Sequence, residues 1–355
     1  MSRERSTWLL LLAAALCASG CARTEGAHGL KPQGAATQAD AATADPDAAA
    51  SAAPDTTDAG VDAGPEVRMM TTDVGFRGVW GSDASDVWLV GGEGKIVHYD
   101  GSRFRLVDSG TDSVLSSVHG SAADDVWIAG ADGTTLHWEG SSFKRVAYDT
   151  EETLLGVWAN SPTDVWTVGF VPIDRIGIAR HFDGDHWTET EVQGSASLWR
   201  IWGTRPDDVW MVGTDKDVQG MVFRGAGTEF ASLAFDGEPL RGVWGSSPSD
   251  VWVVPYDSPA QHWDGSAWKV GEALDHGAML ATWGSGSDDV WAVGLDGTIL
   301  HFDGSAWTTS DSGTQQNLWS IWGSGPDDVW AVGGQETVLR WDGSSWRTAT
   351  DVPPL

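Results

Sequence analysis

The chain has 355 residues, enough for one large domain or two ordinary ones. Its 51 acidic residues outnumber 21 basic ones, giving a formal net charge of −30. Such a surface repels phosphate backbones and anionic headgroups, so nucleic acid is excluded as an expected partner. Both cysteines, Cys17 and Cys21, fall within the first 21 residues, which leaves the remainder without a disulfide or a thiolate site.

The N-terminus reads MSRERSTWLLLLAAALCASGC. Arg3 and Arg5 form a basic head, and Trp8 to Leu16 is an apolar run too short to span a bilayer. Small residues Ala18, Ser19 and Gly20 then precede Cys21, the pattern of a secretory signal peptide. The stretch ASGC resembles a bacterial lipobox, with Ala18 standing where that motif prefers Leu. The resemblance implies cleavage before Cys21, lipidation of Cys21, and attachment to a membrane through lipid alone. Ala22 rather than Asp follows, which in that family implies an outer-membrane lipoprotein; plain cleavage and secretion is the alternative. Residues 22–65 are rich in Ala, Asp, Gly and Thr and nearly devoid of large apolar side chains. They cannot bury enough surface to offset their ordering entropy and are predicted to form a disordered acidic tether.

From about residue 75 the chain is periodic. Asp-Val-Trp occurs seven times, with its Trp at 88, 127, 166, 210, 252, 291 and 330. Eight residues before each stands Trp80, His119, Trp158, Trp202, Trp244, Trp283 or Trp322. A third column follows in the form VHYDG, LHWEG or LRWDG, then a fourth aromatic. Each unit reads as four short strands; in the sixth they are LATWG, DVWAVG, TILHFDG and AWTTS. Turn signals such as GSGSD, LDG and DGS separate them. Four strands in about 40 residues, repeated radially, define a blade. The expectation is therefore all-β: a seven-bladed β-propeller of four-stranded antiparallel blades over residues 66–355. The rival is a linear stack of sheets, which would want polar capping repeats, and the end units are as regular as the middle ones. Either Glu66–Asp73 or Ser345–Asp351 could supply the last strand of the closing blade. Five histidines recur at one strand position, His98, His137, His181, His262 and His301. Lying in separate blades, they are expected to be structural rather than metal ligands.

The phrase VWG-S-x-x-D-V-W-x-V-G … H-x-D-G-S-x-W resembles the Trp-rich propeller repeats of secreted bacterial proteins, over most of the chain. It is more distantly similar to kelch-type and Asp-box propellers. Kelch blades carry a Gly doublet, found here only at Gly91–Gly92 and Gly333–Gly334, and the Asp-box spacing is not reproduced. The resemblance implies the fold and little about activity, because propellers host lectins, scaffolds and enzymes alike. A sialidase-like site would need an arginine cluster and a Tyr nucleophile, and a kelch-type copper oxidase a Cys-modified Tyr. Only Tyr99, Tyr148 and Tyr256 exist, and no Cys is at hand. No Gly-x-Ser-x-Gly elbow, His-Glu-x-x-His pair or phosphate loop is present. No cofactor is expected; Thr214–Asp217 (TDKD) is a weak Ca²⁺ candidate without the spacing of a dedicated loop.

The informative positions are those where the repeat breaks. Between the second and third strands, units 1, 2, 6 and 7 have compact turns (GGEGK, GADGT, GLDGT, GGQET). Units 3, 4 and 5 have GFVPIDRIG, GTDKDVQG and VPYDSPAQ. In a propeller these turns share a face with the links between blades, so three neighbouring blades would raise their loops side by side. Candidate ligand contacts are Asp174, Arg175, Trp199, Asp215, Lys216, Asp217, Tyr256, Asp257 and His276. Loops carrying Arg, Tyr and Trp suit recognition; neutral drift of tolerant loops is the competing account. The expected function is a monomeric, non-enzymatic binding or scaffold module displayed on the envelope, with an envelope or extracellular protein as partner. The alternatives are a glycan-binding lectin and, third, a polysaccharide hydrolase or lyase.

Overall fold

Each Asp-Val-Trp phrase forms the most buried strand of its sheet, because aromatic and β-branched side chains there face a neighbouring blade on both sides. In the first blade Val87, Trp88, Leu89 and Val90 are all sealed from solvent. The computed structural model describes residues 75–146, 152–272 and 277–354. The leader with Cys21, the segment 22–65, Tyr148 and His276 lie outside the described residues. Seven four-stranded sheets are present, each an antiparallel meander of consecutive strands. In the sixth these are Met279–Gly286, Asp289–Gly294, Ile299–Phe302 and Trp307–Ser310. First strands pack on one another in a closed cycle around a central channel, and fourth strands form the exposed rim. The chain is thus a seven-bladed propeller, as its periodicity predicts.

The Asp of each phrase organises its blade. In blade 2, Asp125 accepts from Ser121 Oγ (2.5 Å) and Trp127 Nε1 (2.9 Å), and its Oδ1 lies 2.7 Å from His137 Nε2. The His137 ring stacks on Trp127 at 3.9 Å. The same Asp–His pair and Trp–His stack recur for His98, His181, His262 and His301. All five repeated histidines are thereby engaged inside their own blades. Blades 4 and 7 lack the His but keep the arrangement. Arg224 and Arg340 each donate from Nε to the local Asp at 2.5 Å and lie 4.7 Å over the ring of Trp210 or Trp330.

A second ring is built from the Trp-Gly pair near the end of the first strand in five blades. Trp80, Trp244, Trp283 and Trp322 lean onto the glycine of the following blade, where a Cβ on Gly120, Gly284, Gly323 or Gly81 would meet the indole within 3 Å. Blade 2 has His119 in place of Trp, and blade 3 has Ala159 in place of Gly. The smaller ring leaves space for the extra methyl, and His119 Nδ1 accepts the Ala159 N–H at 3.1 Å. Burial lowers the His119 imidazole to about 4, against a smaller opposing pull from Asp125. It is neutral at pH 7, as that acceptor role requires.

Among the described residues no sheet shares a strand between the two ends of the chain. Trp346–Thr348 is the fourth strand of blade 7, so the C-terminal candidate completes the last sheet. Glu66–Asp73 lies outside the described residues. Blades 1 and 7 meet through Val79 N–H donating to Ser320 Oγ (3.3 Å) and through the packing of Phe76, Val79, Trp330 and Val332. Lys95, 6 % exposed, donates to Glu336 (2.6 Å) and to the Pro353 carbonyl (3.0 Å), tying the C-terminal segment across the seam.

Candidate functional site

Turns between second and third strands and links between blades do share one face. Blades 1, 6 and 7 close these turns tightly, over Gly92–Gly94, Leu295–Gly297 and Gly334–Glu336. Blade 3 differs by growing its strands. Asp164–Val171 and Ile176–Phe182 pair to the tip, with Val171 opposite Ile176. The inserted residues thus make a longer hairpin rather than a slack loop. Its tip carries Ile173, 80 % exposed, followed by exposed Asp174 and Arg175.

In blade 4 the turn 215–219 is built on Asp215, whose Oδ1 accepts the N–H groups of Asp217 (2.9 Å) and Gln219 (2.8 Å). The TDKD carboxylate is therefore occupied in shaping its own turn. Among the described residues no group of three or more His, Cys, Asp or Glu is positioned to hold a metal. Arg175 reaches across to donate to the Lys216 carbonyl at 3.4 Å, joining the blade 3 hairpin to the blade 4 turn. Beside this contact lies a groove of about 400 Å³, lined by Ile176, Glu191, Gln193, Asp215, Lys216 and Asp217, among others. Asp174, Arg175, Asp215, Lys216 and Asp217 thus belong to one neighbourhood.

Trp199, Tyr256 and Asp257 form a second neighbourhood towards the axis. Trp199 lies inside the first strand of blade 4 (Ser197–Arg205) and is only 7 % exposed. It packs with Leu155 and Phe170 and carries the Arg241 guanidinium 3.6 Å over its ring. The Trp read from the sequence as an exposed contact is therefore a buried support. Buried Arg241 also lies 5.3 Å over the ring of half-buried Tyr256. Tyr256 is held by its backbone to both neighbouring links, donating to the Pro239 carbonyl (2.8 Å) and accepting from Met279 N–H (2.9 Å). Asp257 beside it is exposed.

Sequence reasoning missed the axial arginines. Three positions before the repeated Trp or His of the first strand, Arg77 of blade 1 sits 5.3 Å over Trp319 of blade 7, just as Arg241 of blade 5 sits over Trp199 of blade 4. The residues two positions before that Trp or His are small in six blades, Gly78, Ser117, Gly156, Gly242, Ala281 and Ser320, and four of these line the central channel. Blade 4 alone places an arginine there, Arg200. The signal is readable in the sequence as LWRIWG against LWSIWG.

This architecture defines the class: a seven-bladed β-propeller with four-stranded antiparallel blades. Similar solved structures include YCF48 from Cyanidioschyzon merolae, 14 % identical with a TM-score of 0.61, covering 76 % of this chain and 95 % of that one. Others are YCF48 bound to D1 peptide (17 %, TM-score 0.58, covering 76 % and 93 %) and the WD40 beta propeller domain of Doa1 (14 %, TM-score 0.60, covering 76 % and 92 %). No family model matches the sequence, and no curated protein does. At these identities the likeness is one of fold.

Proposed function

We propose that this protein is a non-enzymatic binding scaffold, tethered to the bacterial outer membrane through a lipid on Cys21. Its loop face over blades 3 to 5 takes a protein partner. The observation that carries this reading is the blade 3 hairpin, which lifts an 80 % exposed Ile173 beside Arg175 and braces itself on blade 4. An exposed apolar side chain at the tip of a strand-paired hairpin suits a protein contact better than drift of a slack loop. A similar propeller, YCF48, is known bound to a D1 peptide, which supports peptide or protein recognition on this scaffold. A glycan reading would draw on an exposed Trp beside these loops, and Trp199 is not exposed.

An Ile173→Asp/Arg175→Ala double variant should lose the envelope protein that the wild type recovers in a crosslinked pulldown. Folding free energy should stay within about 0.5 kcal/mol, as for exposed positions. Unchanged recovery would sink the assignment of this face. Separately, radiolabelled fatty acid should enter the protein through Cys21 and be absent from Cys21→Ser; label persisting in that variant would remove the anchor from the reading.

A further inference from the structure

The central channel holds a charge that the rest of the molecule does not explain. Arg200 projects from blade 4 into a cavity of about 250 Å³ bounded by the first strands. Its Nη1 donates to the carbonyls of Trp199 (2.9 Å) and Leu155 (3.3 Å). Its Nη2 crosses the axis to the carbonyl of Trp319 in blade 7 (3.2 Å). The side chain therefore bridges three blades, and all three acceptors are neutral. None of the described residues lining the cavity is acidic, in a chain of net charge −30. Burial draws the guanidinium down to about 10, and it stays protonated at every physiological pH.

A guanidinium has five N–H groups. Three are used, and one on Nε and one on Nη2 have no acceptor among the described residues. Those two nitrogens form the edge that receives both oxygens of a carboxylate side-on. The rest of the wall adds donors. Ser117 Oγ and Ser320 Oγ each accept a backbone N–H from the next blade, Val157 and Val79 respectively, at 3.3 Å. Their own hydroxyl protons remain to be donated. Glycine and alanine at the other four positions of this level leave room beside the guanidinium. A cavity with one uncompensated cation, spare donors and no acidic wall selects an anion. The paired Nε and Nη2 donors favour a planar one over a halide.

We propose that the central channel is a binding site for a small free carboxylate, of formate or acetate size, held side-on by Arg200. The site is separate from the loop face and does not depend on the partner proposed above.

The test uses the full-length protein at constant ionic strength, with formate and acetate as probes and chloride as the reference anion. At several times Kd the wild type should gain about 2–4 °C in Tm from either carboxylate and less from chloride. Saturation-transfer NMR should show formate contacting the protein. Arg200→Ser places at this position the residue that blades 2 and 7 already carry, so the ring should still close, and the carboxylate effect should vanish. Arg200→Lys keeps the charge but not the fork and should bind about tenfold more weakly. The proposal is overturned if carboxylates stabilise the wild type no more than chloride does. It is equally overturned if Arg200→Ser retains the wild-type response.

Discussion

Replacing Trp291 by alanine should destabilise the ring by about 3–5 kcal/mol, the range for deleting a large buried aromatic. Trp291 is 1 % exposed and spans the seam between blades 6 and 7. Within its own blade it stacks on His301 at 3.9 Å and donates its indole N–H to Asp289 at 3.1 Å. From the next blade Trp346 meets it edge-on at 5.4 Å, and Trp341 lies at 5.2 Å. Truncation opens a void bounded by two sheets that strand pairing holds in place, so the site cannot collapse to fill it. The denaturant midpoint of the variant, taken with an unchanged m-value, measures the loss. Arg175→Ala, on the exposed hairpin tip, is the contrast and should cost no more than about 0.5 kcal/mol. Comparable losses at the two positions would contradict the division between seam and surface.

Asp125→Ala should cost a similar amount, about 3–5 kcal/mol, for an electrostatic rather than a packing reason. Asp125 is 4 % exposed, and removing its carboxylate orphans donors on Ser121 and Trp127 and strips His137 Nε2 of its partner. Asp125→Asn should cost less, because the amide oxygen still accepts some of these bonds. Burial by itself pushes the Asp125 carboxyl up, but the hydrogen bonds from His137, Ser121 and Trp127 outweigh it and hold the group below its ordinary value. An acid whose pKa is depressed by folding contributes stability above its unfolded value, and that stability is lost as pH falls through the lower folded value. Acid should therefore loosen the blades below about pH 4. His119 acts earlier. A base held near 4 in the folded chain and near 6.5 in the unfolded one costs stability progressively as pH falls between those values. His119→Gln retains an acceptor for the Ala159 N–H without titrating. It should flatten the stability curve from pH 6.5 to 4 while leaving the fall below pH 4 in place.

Much of the fold was legible because its determinants are local. Alternating Val, Trp and Gly marks strands, Asp-Gly-Ser marks turns, and the interval between copies counts blades. Even the exchange of His119 and Ala159 for the usual Trp and Gly can be read as a paired change, once neighbouring blades are known to touch through that column. The candidate site was legible only in part. Insertions identified the blades whose turns rise from the face, and Arg175 does meet the turn of Lys216. Trp199 was misjudged because an extra aromatic beside altered loops looks the same on paper whether it points outward or under an arginine. Arg241 was invisible for the matching reason: its stacking partner belongs to another blade, 42 positions away.

The sequence by itself determined the repeat, the number of blades, the strand order within each and the Trp-bearing seams, since these depend on spacing and polarity along the chain. Only the tertiary structure decided which strand completes blade 7, how the C-terminal segment reaches Lys95, and that Arg200 crosses the axis to the Trp319 carbonyl. The last two contacts join residues more than a hundred positions apart. Curvature accumulated over several blades brings them together, and no local pattern encodes that curvature.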